Sequence, residues 1–272
     1  MSAASISMPG VALRGRGAVD THRSLPEEMP VAVTCNGSTQ AVMMCSPDGL
    51  EDFATGFALT EGYVARAEQI ESLEIIEGEM GIEARLWIDA ACADALGDRR
   101  RASMGPVGCG LCGIESLEQA LRALPVLAEG AVRFSMAEVA GAADALRAHQ
   151  PLHDRTRAVH AAGFLTPGAG ITCAREDVGR HNALDKLIGA LARDGVDPAS
   201  GAFVLTSRIS VEMVQKTVLA GAPVVIAVSA PTAHAVRMAD AANLTLAAFA
   251  RGAQVELFTH PHRIEGHASD VS

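Results

Sequence analysis

Hydrophobic and polar positions alternate with a two-residue period early in the chain. Residues 29–44 predict two strands around a hairpin turn at Asn36 and Gly37. The spacing then becomes helical, and residues 50–61 predict an amphipathic helix with Asp48 as its N-cap. Two more short strands are expected at residues 74–76 and 84–88. These elements predict a small α+β domain over residues 29–134.

The pattern changes after residue 135, where strands and helices begin to alternate. Helices are expected at residues 136–149, 182–192, 211–219 and 232–242, and strands at residues 158–165, 171–176, 202–206, 224–228, 244–249 and 255–258. Such alternation predicts an α/β domain over residues 135–265, with helices on both faces of a sheet. The segments 207–210 and 229–232 precede helices at the carboxyl ends of strands, where α/β proteins bind anionic ligands.

Neither end of the chain shows a periodic pattern. Residues 1–28 predict a flexible arm, and residues 266–272 predict a short tail. We see no secretory signal and no run of about 18 apolar residues, so we expect a cytoplasmic protein without a membrane partner. The net charge of −10 argues against a nucleic acid partner, because such binding needs a basic surface.

Two of the six cysteines, Cys109 and Cys112, have the spacing of a reactive or metal-binding motif. A closed zinc site needs about four ligands, and no second pair with suitable spacing occurs. The glycines of residues 105–113 favour an open, mobile loop, as thiol exchange requires. We therefore predict thiol chemistry at Cys109 and Cys112 and no permanently bound metal. A zinc-stabilised binding module and a pair of idle thiols remain alternatives.

A second group of chemically active side chains occupies residues 175–186, between a predicted strand and a predicted helix. Asp177 is expected to orient His181 or to pair with Arg180. Arg180 and Lys186 are expected to hold phosphate, which arginine often binds through two parallel hydrogen bonds. Arg208 and Arg251 are also expected at strand ends, so positive groups would converge in an otherwise acidic protein. This arrangement predicts a polyphosphate or nucleotide ligand.

At this point the sequence resembles the formate dehydrogenase accessory sulfurtransferases, the FdhD family. Residues 177–186, DVGRHNALDK, look like the signature of that family, and residues 109–113 match its cysteine loop. Further similar segments are residues 56–62, 208–210, 229–232, 249–251 and 258–260. The resemblance covers about residues 28 to 264.

The resemblance implies a C-terminal domain with a cytidine-deaminase-like α/β fold, often in a homodimer. It implies a sulfurtransferase in which Cys109 carries persulfide sulfur from a cysteine desulfurase, with Cys112 in support. The acceptor would be the molybdenum cofactor in its bis-guanine-dinucleotide form, bound as a substrate, and the client would be the catalytic subunit of formate dehydrogenase. The expected cofactor-binding residues are Asp177, Arg180, His181, Asn182, Arg208, Ser229, Phe249, Ala250, Arg251, Gly252, Ala253 and Gln254. A cofactor-binding chaperone without covalent sulfur transfer is the alternative.

Overall fold

The computed structural model describes residues 3–15, 17–103 and 124–266, and the side chains of residues 98–103 lie outside that description. The strands are β1 (Ser5–Arg14), β2 (Gly17–Pro26), β3 (Met29–Cys35), β4 (Ser38–Cys45), β5 (Ile70–Gly78), β6 (Gly81–Ile88), β7 (Phe134–Ser135), β8 (His160–Thr166), β9 (Gly170–Asp177), β10 (Ala202–Leu205), β11 (Val224–Ala227), β12 (Thr245–Arg251), β13 (Gln254–Thr259) and β14 (Ile264–Glu265). The helices are α1 (Leu50–Thr60), α2 (Ala90–Ser103), α3 (Met136–Arg147), α4 (Pro151–Thr156), α5 (Arg180–Arg193), α6 (Val211–Ala220) and α7 (Ala233–Ala241). The mixed α/β character predicted from the sequence is confirmed.

The N-terminal segment is a β-hairpin, so the prediction of an arm without regular structure over residues 1–28 was wrong. Strands β1 and β2 pair antiparallel from Ser5 opposite Pro26 to Arg14 opposite Gly17. Most of their side chains are exposed, including Val11 and Leu13. Interstrand hydrogen bonds therefore form this hairpin without the buried apolar face that sequence patterns reveal.

A four-stranded sheet with the order β4-β3-β6-β5 follows the hairpin. The turn between β3 and β4 lies at Asn36 and Gly37, which both have positive φ, as the sequence predicts. Alternate residues of β3 and β6 point to α1 and bury Val33, Leu86 and Phe53 in one core. The N-cap of α1 is Gly49 with φ of 65°, not Asp48 as predicted.

The second half of the chain forms a six-stranded sheet with the order β13-β12-β11-β10-β8-β9. Strands β10, β11 and β12 are parallel, whereas β8, β9 and β13 run antiparallel to their neighbours. Helices α5, α6 and α7 cover one face around Phe203 and Leu246. Helix α3 covers the other face around Val204 and Ile226. Helices on both faces confirm the predicted layer arrangement.

Helices α1 and α5 join the two halves through a pair of glycines. A β-carbon on Gly56 would overlap the carbonyl of Asp185, and one on Gly189 would overlap the carbonyl of Asp52. The two backbones therefore touch, which glycine alone allows without displacement. We call the contact of α1 and the β4–α1 loop with α5 and α6 the seam.

Two helices were not predicted from the sequence. Helix α2 covers residues for which the sequence analysis predicted no element, and helix α4 is only six residues long. Within the described part of the chain, no helix is both long enough and apolar enough to span a membrane.

Candidate functional site

The carboxyl ends of the parallel strands carry the loops that the sequence singled out. The loop after β10 is bound to the loop after β11, because Ile209 N donates to Ala230 O (3.2 Å) and Thr232 N donates to Ile209 O (3.0 Å). This pairing holds exposed Arg208 and half-buried Ser229 on one edge of the sheet. His160 at the start of β8 and Asp177 at the end of β9 share this edge. The predicted position of segments 207–210 and 229–232 at the carboxyl ends of strands is confirmed.

Asp177 and Asn182 lie inside the seam and are buried. The Asp177 carboxylate accepts hydrogen bonds from Ser46 N (2.9 Å), Gly179 N (2.8 Å) and the Asn182 amide (3.0 Å). It also lies 2.7 Å from Nζ of Lys186. The Asn182 amide donates to Met44 O at 2.7 Å. These side chains bind the β4–α1 loop to the start of α5.

Two expectations for this segment were therefore wrong. Asp177 neither orients His181 nor pairs with Arg180, because its carboxylate is occupied by Lys186 and by groups of the seam. Lys186 is only 1% exposed and donates to Ser46 O at 3.0 Å, so its ammonium does not face a phosphate site. A buried charge of this kind is stabilised by its partners within the protein.

A second buried ion pair lies deeper in the seam. Nζ of Lys216 is 3.0 Å from both carboxylate oxygens of Asp185 and 2.8 Å from Oγ1 of Thr60. Burial raises the pKa of Asp185. Burial alone would lower the pKa of Lys216, but Asp185 and Glu61 outweigh it, so this pKa is raised. The pair contributes to stability only as a unit.

Two histidines with half-buried imidazole rings, His160 and His181, lie beside the buried residues of the segment 177–186. His181, in the first turn of α5, places Nε2 2.7 Å from Oε2 of Glu212, in the first turn of α6. This hydrogen bond is the main cause that lowers the pKa of Glu212. Burial, followed by the charges of Arg180 and the neighbouring histidines, lowers the pKa of His160. We call His160, Arg180, His181 and Glu212 the imidazole cluster.

The segment 249–254 contains the end of β12, a two-residue turn and the first residue of β13. Phe249 is exposed with a positive φ of 54°, and its ring lies 6.3 Å from that of Phe258. The amide of Gly252 donates to Asp144 (3.2 Å), which ties the turn to α3. A groove of about 440 Å³ runs beside Phe249, Ala253 and Gln254. Arg251 and Gln254 face each other and are exposed, whereas Ala250 is buried in the core.

Cys109 and Cys112 lie outside the described residues. The described chain resumes after them at Leu124, and three residues later the amide of Leu127 donates to Ala242 O and its carbonyl accepts from Asn243. Burial raises the pKa of each of the four described cysteines, and it raises that of Cys35 to about 11. These four thiols are therefore poor nucleophiles at neutral pH. Within the described ranges, no group of three or more His, Cys, Asp or Glu side chains is arranged to hold a metal ion.

The model of the FdhD/NarQ family matches residues 26–265. The chain belongs to this family. The sulfur carrier protein FdhD of Agrobacterium fabrum is 49% identical over 253 residues, covering 93% of each chain. The protein of the same name from Brucella abortus is 52% identical, covering 93% of this chain and 94% of its own. The crystal structure of a candidate formate dehydrogenase accessory protein from Desulfotalea psychrophila superimposes with a TM-score of 0.77 at 25% identity, covering 96% of this chain and 100% of that one.

In this FdhD/NarQ family chain, the main residue that the sequence analysis missed is Glu212. It lies 31 positions from His181, and nothing in the local pattern links the two. Ser46 and Thr60 were missed for the same reason, because their partners lie more than 120 positions away. The segment 56–62 had been noted as similar to the family, and its Gly56 proves to be half of the glycine contact.

Proposed function

We propose that this protein is a sulfur carrier that receives persulfide sulfur from a cysteine desulfurase and transfers it to the molybdenum cofactor required by formate dehydrogenase. The observation that carries the proposal is the match to sulfur carrier proteins FdhD over 93% of this chain. The cofactor, in its bis-guanine-dinucleotide form, is the substrate that accepts the sulfur.

Cys109 is the proposed carrier. In the loading step, its thiolate attacks the terminal sulfur of the donor persulfide, so that Cys109–SH and R–S–SH become Cys109–S–SH and R–SH. The raised pKa values of Cys35, Cys45, Cys92 and Cys173 support this choice, because a neutral thiol attacks slowly. Cys112 is proposed to supply the second thiol, which releases the sulfur as the Cys109–Cys112 disulfide forms.

The dinucleotide is proposed to bind along the carboxyl edge of the six-stranded sheet. Arg180, His181 and Arg208 offer cationic or hydrogen-bonding groups to phosphate. The exposed ring of Phe249 can stack on a guanine base, and the exposed amide of Gln254 can bond its edge. Asp177 and Asn182 would act indirectly, by fixing the start of α5.

The partners we propose are a cysteine desulfurase, the catalytic subunit of formate dehydrogenase and a second copy of the chain, all in the cytoplasm. The partners follow from the sulfur-carrier names of the relatives and from the thiol chemistry of Cys109.

The test is native mass spectrometry of the full chain after incubation with a cysteine desulfurase and isotopically labelled cysteine. We expect one labelled sulfur atom on the wild-type protein and on Cys173→Ala, and none on Cys109→Ala. In cells, Cys109→Ala should leave formate dehydrogenase inactive. Full formate dehydrogenase activity with Cys109→Ala would refute the carrier role. It would leave the chaperone without covalent transfer as the better description.

A further inference from the structure

The two faces of the N-terminal hairpin, formed by β1 and β2, differ in character. Residues directly opposite each other on paired strands share a face, and so do residues two positions apart on one strand. One face, which we call the apolar face, carries the side chains of Ile6, Met8, Ala12, Val19 and Leu25. The opposite face carries the serines of both strands and Asp20, with Val11 and Leu13 near the tip. The hairpin is therefore amphipathic.

The apolar face is open to water in the single chain. Its larger side chains, Ile6, Met8, Val19 and Leu25, are between 44% and 58% exposed. The hairpin touches α4, but none of its described residues belongs to a buried core. A two-stranded hairpin is only marginally stable alone in water, and both of its edges leave backbone groups unpaired. An exposed apolar face of this kind marks a surface that binds a partner.

The size of the apolar face favours two reciprocal contacts over one. Two paired strands of ten residues form a ribbon about 33 Å long and about 10 Å wide, which gives each face about 330 Å². A single contact of this face with an unrelated protein would bury about 660 Å² in total, which is the size of a crystal-packing contact. Two hairpins exchanged between two copies would bury about 1,300 Å², which lies in the range of stable interfaces.

The charges of the hairpin favour the same partner. Arg14 and Arg23 lie on the apolar face, whereas Asp20, the one acidic residue of the hairpin, lies on the opposite face. The whole chain has a net charge of −10, and the edge strand β5 exposes Glu71 and Glu74. A second copy therefore offers an acidic surface to a basic, apolar face, and complementary charges favour association.

We propose that the apolar face of the N-terminal hairpin binds a second copy of the chain, and that the two copies exchange their hairpins about a two-fold axis. The two contacts are then identical, and each copy stabilises the hairpin of the other. This inference rests on the proposed function, which includes a second copy as a partner, and it assigns the surface that binds that copy. The family model matches residues 26–265, so the family match does not account for the hairpin.

Sedimentation velocity of the full chain between about 0.1 and 100 µM measures the dissociation constant of the dimer. Val19→Asp places a carboxylate on the apolar face. We expect the dissociation constant to rise on the order of 100-fold, because the two-fold axis repeats a buried, unpaired charge in both contacts. The matched control is Ala18→Asp, which adds the same charge on the neighbouring, exposed residue of the opposite face. It should change the dissociation constant by less than about 3-fold.

A second pair of variants tests the charges. Arg23→Gln should weaken the dimer about 10-fold at low ionic strength and less at high ionic strength, because salt screens exposed charges. His22→Gln changes the neighbouring residue on the opposite face and should leave the dissociation constant unchanged. Circular dichroism should find all four variants folded, because the described residues of the hairpin contribute nothing to the buried cores.

The proposal is overturned if the wild-type chain stays monomeric over this range, or if Val19→Asp and Ala18→Asp weaken the dimer equally. It is also overturned if Val19→Asp stays dimeric but no longer accepts sulfur from the desulfurase, because the face then binds that protein. Labelled sulfur on Cys109 is measured in the same samples. A wild-type chain that dimerises through the hairpin but does not load sulfur would refute the proposed function and leave the exchanged hairpin standing.

Discussion

The seam and the imidazole cluster draw on the same ten residues, 177–186, and use them in opposite ways. Asp177, Asn182 and Lys186 are buried, and each makes a hydrogen bond to the first half of the chain. Arg180 and His181 stay at the surface of the opposite side. A helix presents neighbouring residues to different sides, so one short motif supplies both a structural joint and a reactive edge. A sequence motif that is typical of a ligand site therefore also stabilises the fold.

The largest loss of stability is expected in the seam, from the substitution Gly189→Ala. The new β-carbon would overlap the carbonyl of Asp52, so α1 and α5 must move apart. We expect a loss of about 5 kcal/mol or more in the free energy of unfolding, measured in urea.

The matched control is Gly141→Ala in α3, where a β-carbon meets open space. This change should stabilise the protein by about 0.5–1 kcal/mol, since alanine favours the helix. Equal effects of the two substitutions would show that the close approach of α1 and α5 is unimportant.

The next effect is the loss of the buried ion pair. Lys216→Met leaves Asp185 without its cation in a fully buried place, and we expect a cost of about 3–5 kcal/mol. The double variant Lys216→Met with Asp185→Asn should be more stable than Lys216→Met alone, because no uncompensated charge remains. Thermal or urea unfolding of Lys216→Met, Asp185→Asn and the double variant measures this coupling, and strict additivity would contradict it.

A smaller effect on stability is expected at the imidazole cluster. Arg180→Gln should change the free energy of unfolding by less than about 0.5 kcal/mol, because the side chain is not part of the seam. Its binding of guanosine diphosphate should weaken about 10-fold, through the loss of a charge-assisted hydrogen bond. Calorimetric titration measures the affinity, with Arg66→Gln, an exposed arginine of the first half, as the control. Equal weakening in both variants would point to net charge instead of a local site.

The smallest effect concerns pH. The pKa of His160 in the folded protein is lowered from 6.5, mainly by burial, so below that pH the unfolded chain binds a proton that the folded chain does not. The free energy of unfolding should therefore fall as the pH drops through 6.5 towards the folded pKa. Urea midpoints of His160→Gln should fall less steeply over this range than those of wild type. Identical slopes would mean that His160 is not the titrating group.

The local pattern of apolar and polar residues was enough to predict the strands and turns whose buried positions or backbone angles depend on neighbouring residues alone. Strand β10 is four consecutive buried residues, and the hairpin at Asn36 and Gly37 has the dipeptide that its φ values require. The β1–β2 hairpin escaped notice because its apolar side chains, such as Leu13, are exposed and Pro9 interrupts the strand pattern. Helix α2 was not predicted because its apolar residues, mostly alanines, form no apolar stripe.

The candidate site could be predicted only in part. That Arg180, Arg208 and Ser229 share an edge follows from the rule that loops gather at carboxyl ends of parallel strands. Which of these residues face outward does not follow, because it depends on partners such as Ser46, which lies 131 positions before Asp177. Glu212, not Asp177, contacts and orients His181. This partner could not be predicted either, because it lies 31 positions away along the chain.

The seam also constrains how the protein is made. Helix α1 leaves the ribosome early, yet the surface that covers Asp52 and Gly56 belongs to α5, more than 120 residues later. During that part of translation the first half exposes a helix face that the finished protein buries. Such a nascent chain is a natural client for ribosome-associated chaperones, because exposed apolar surface promotes aggregation. A pause in translation before α5 would lengthen the time for which that surface is exposed.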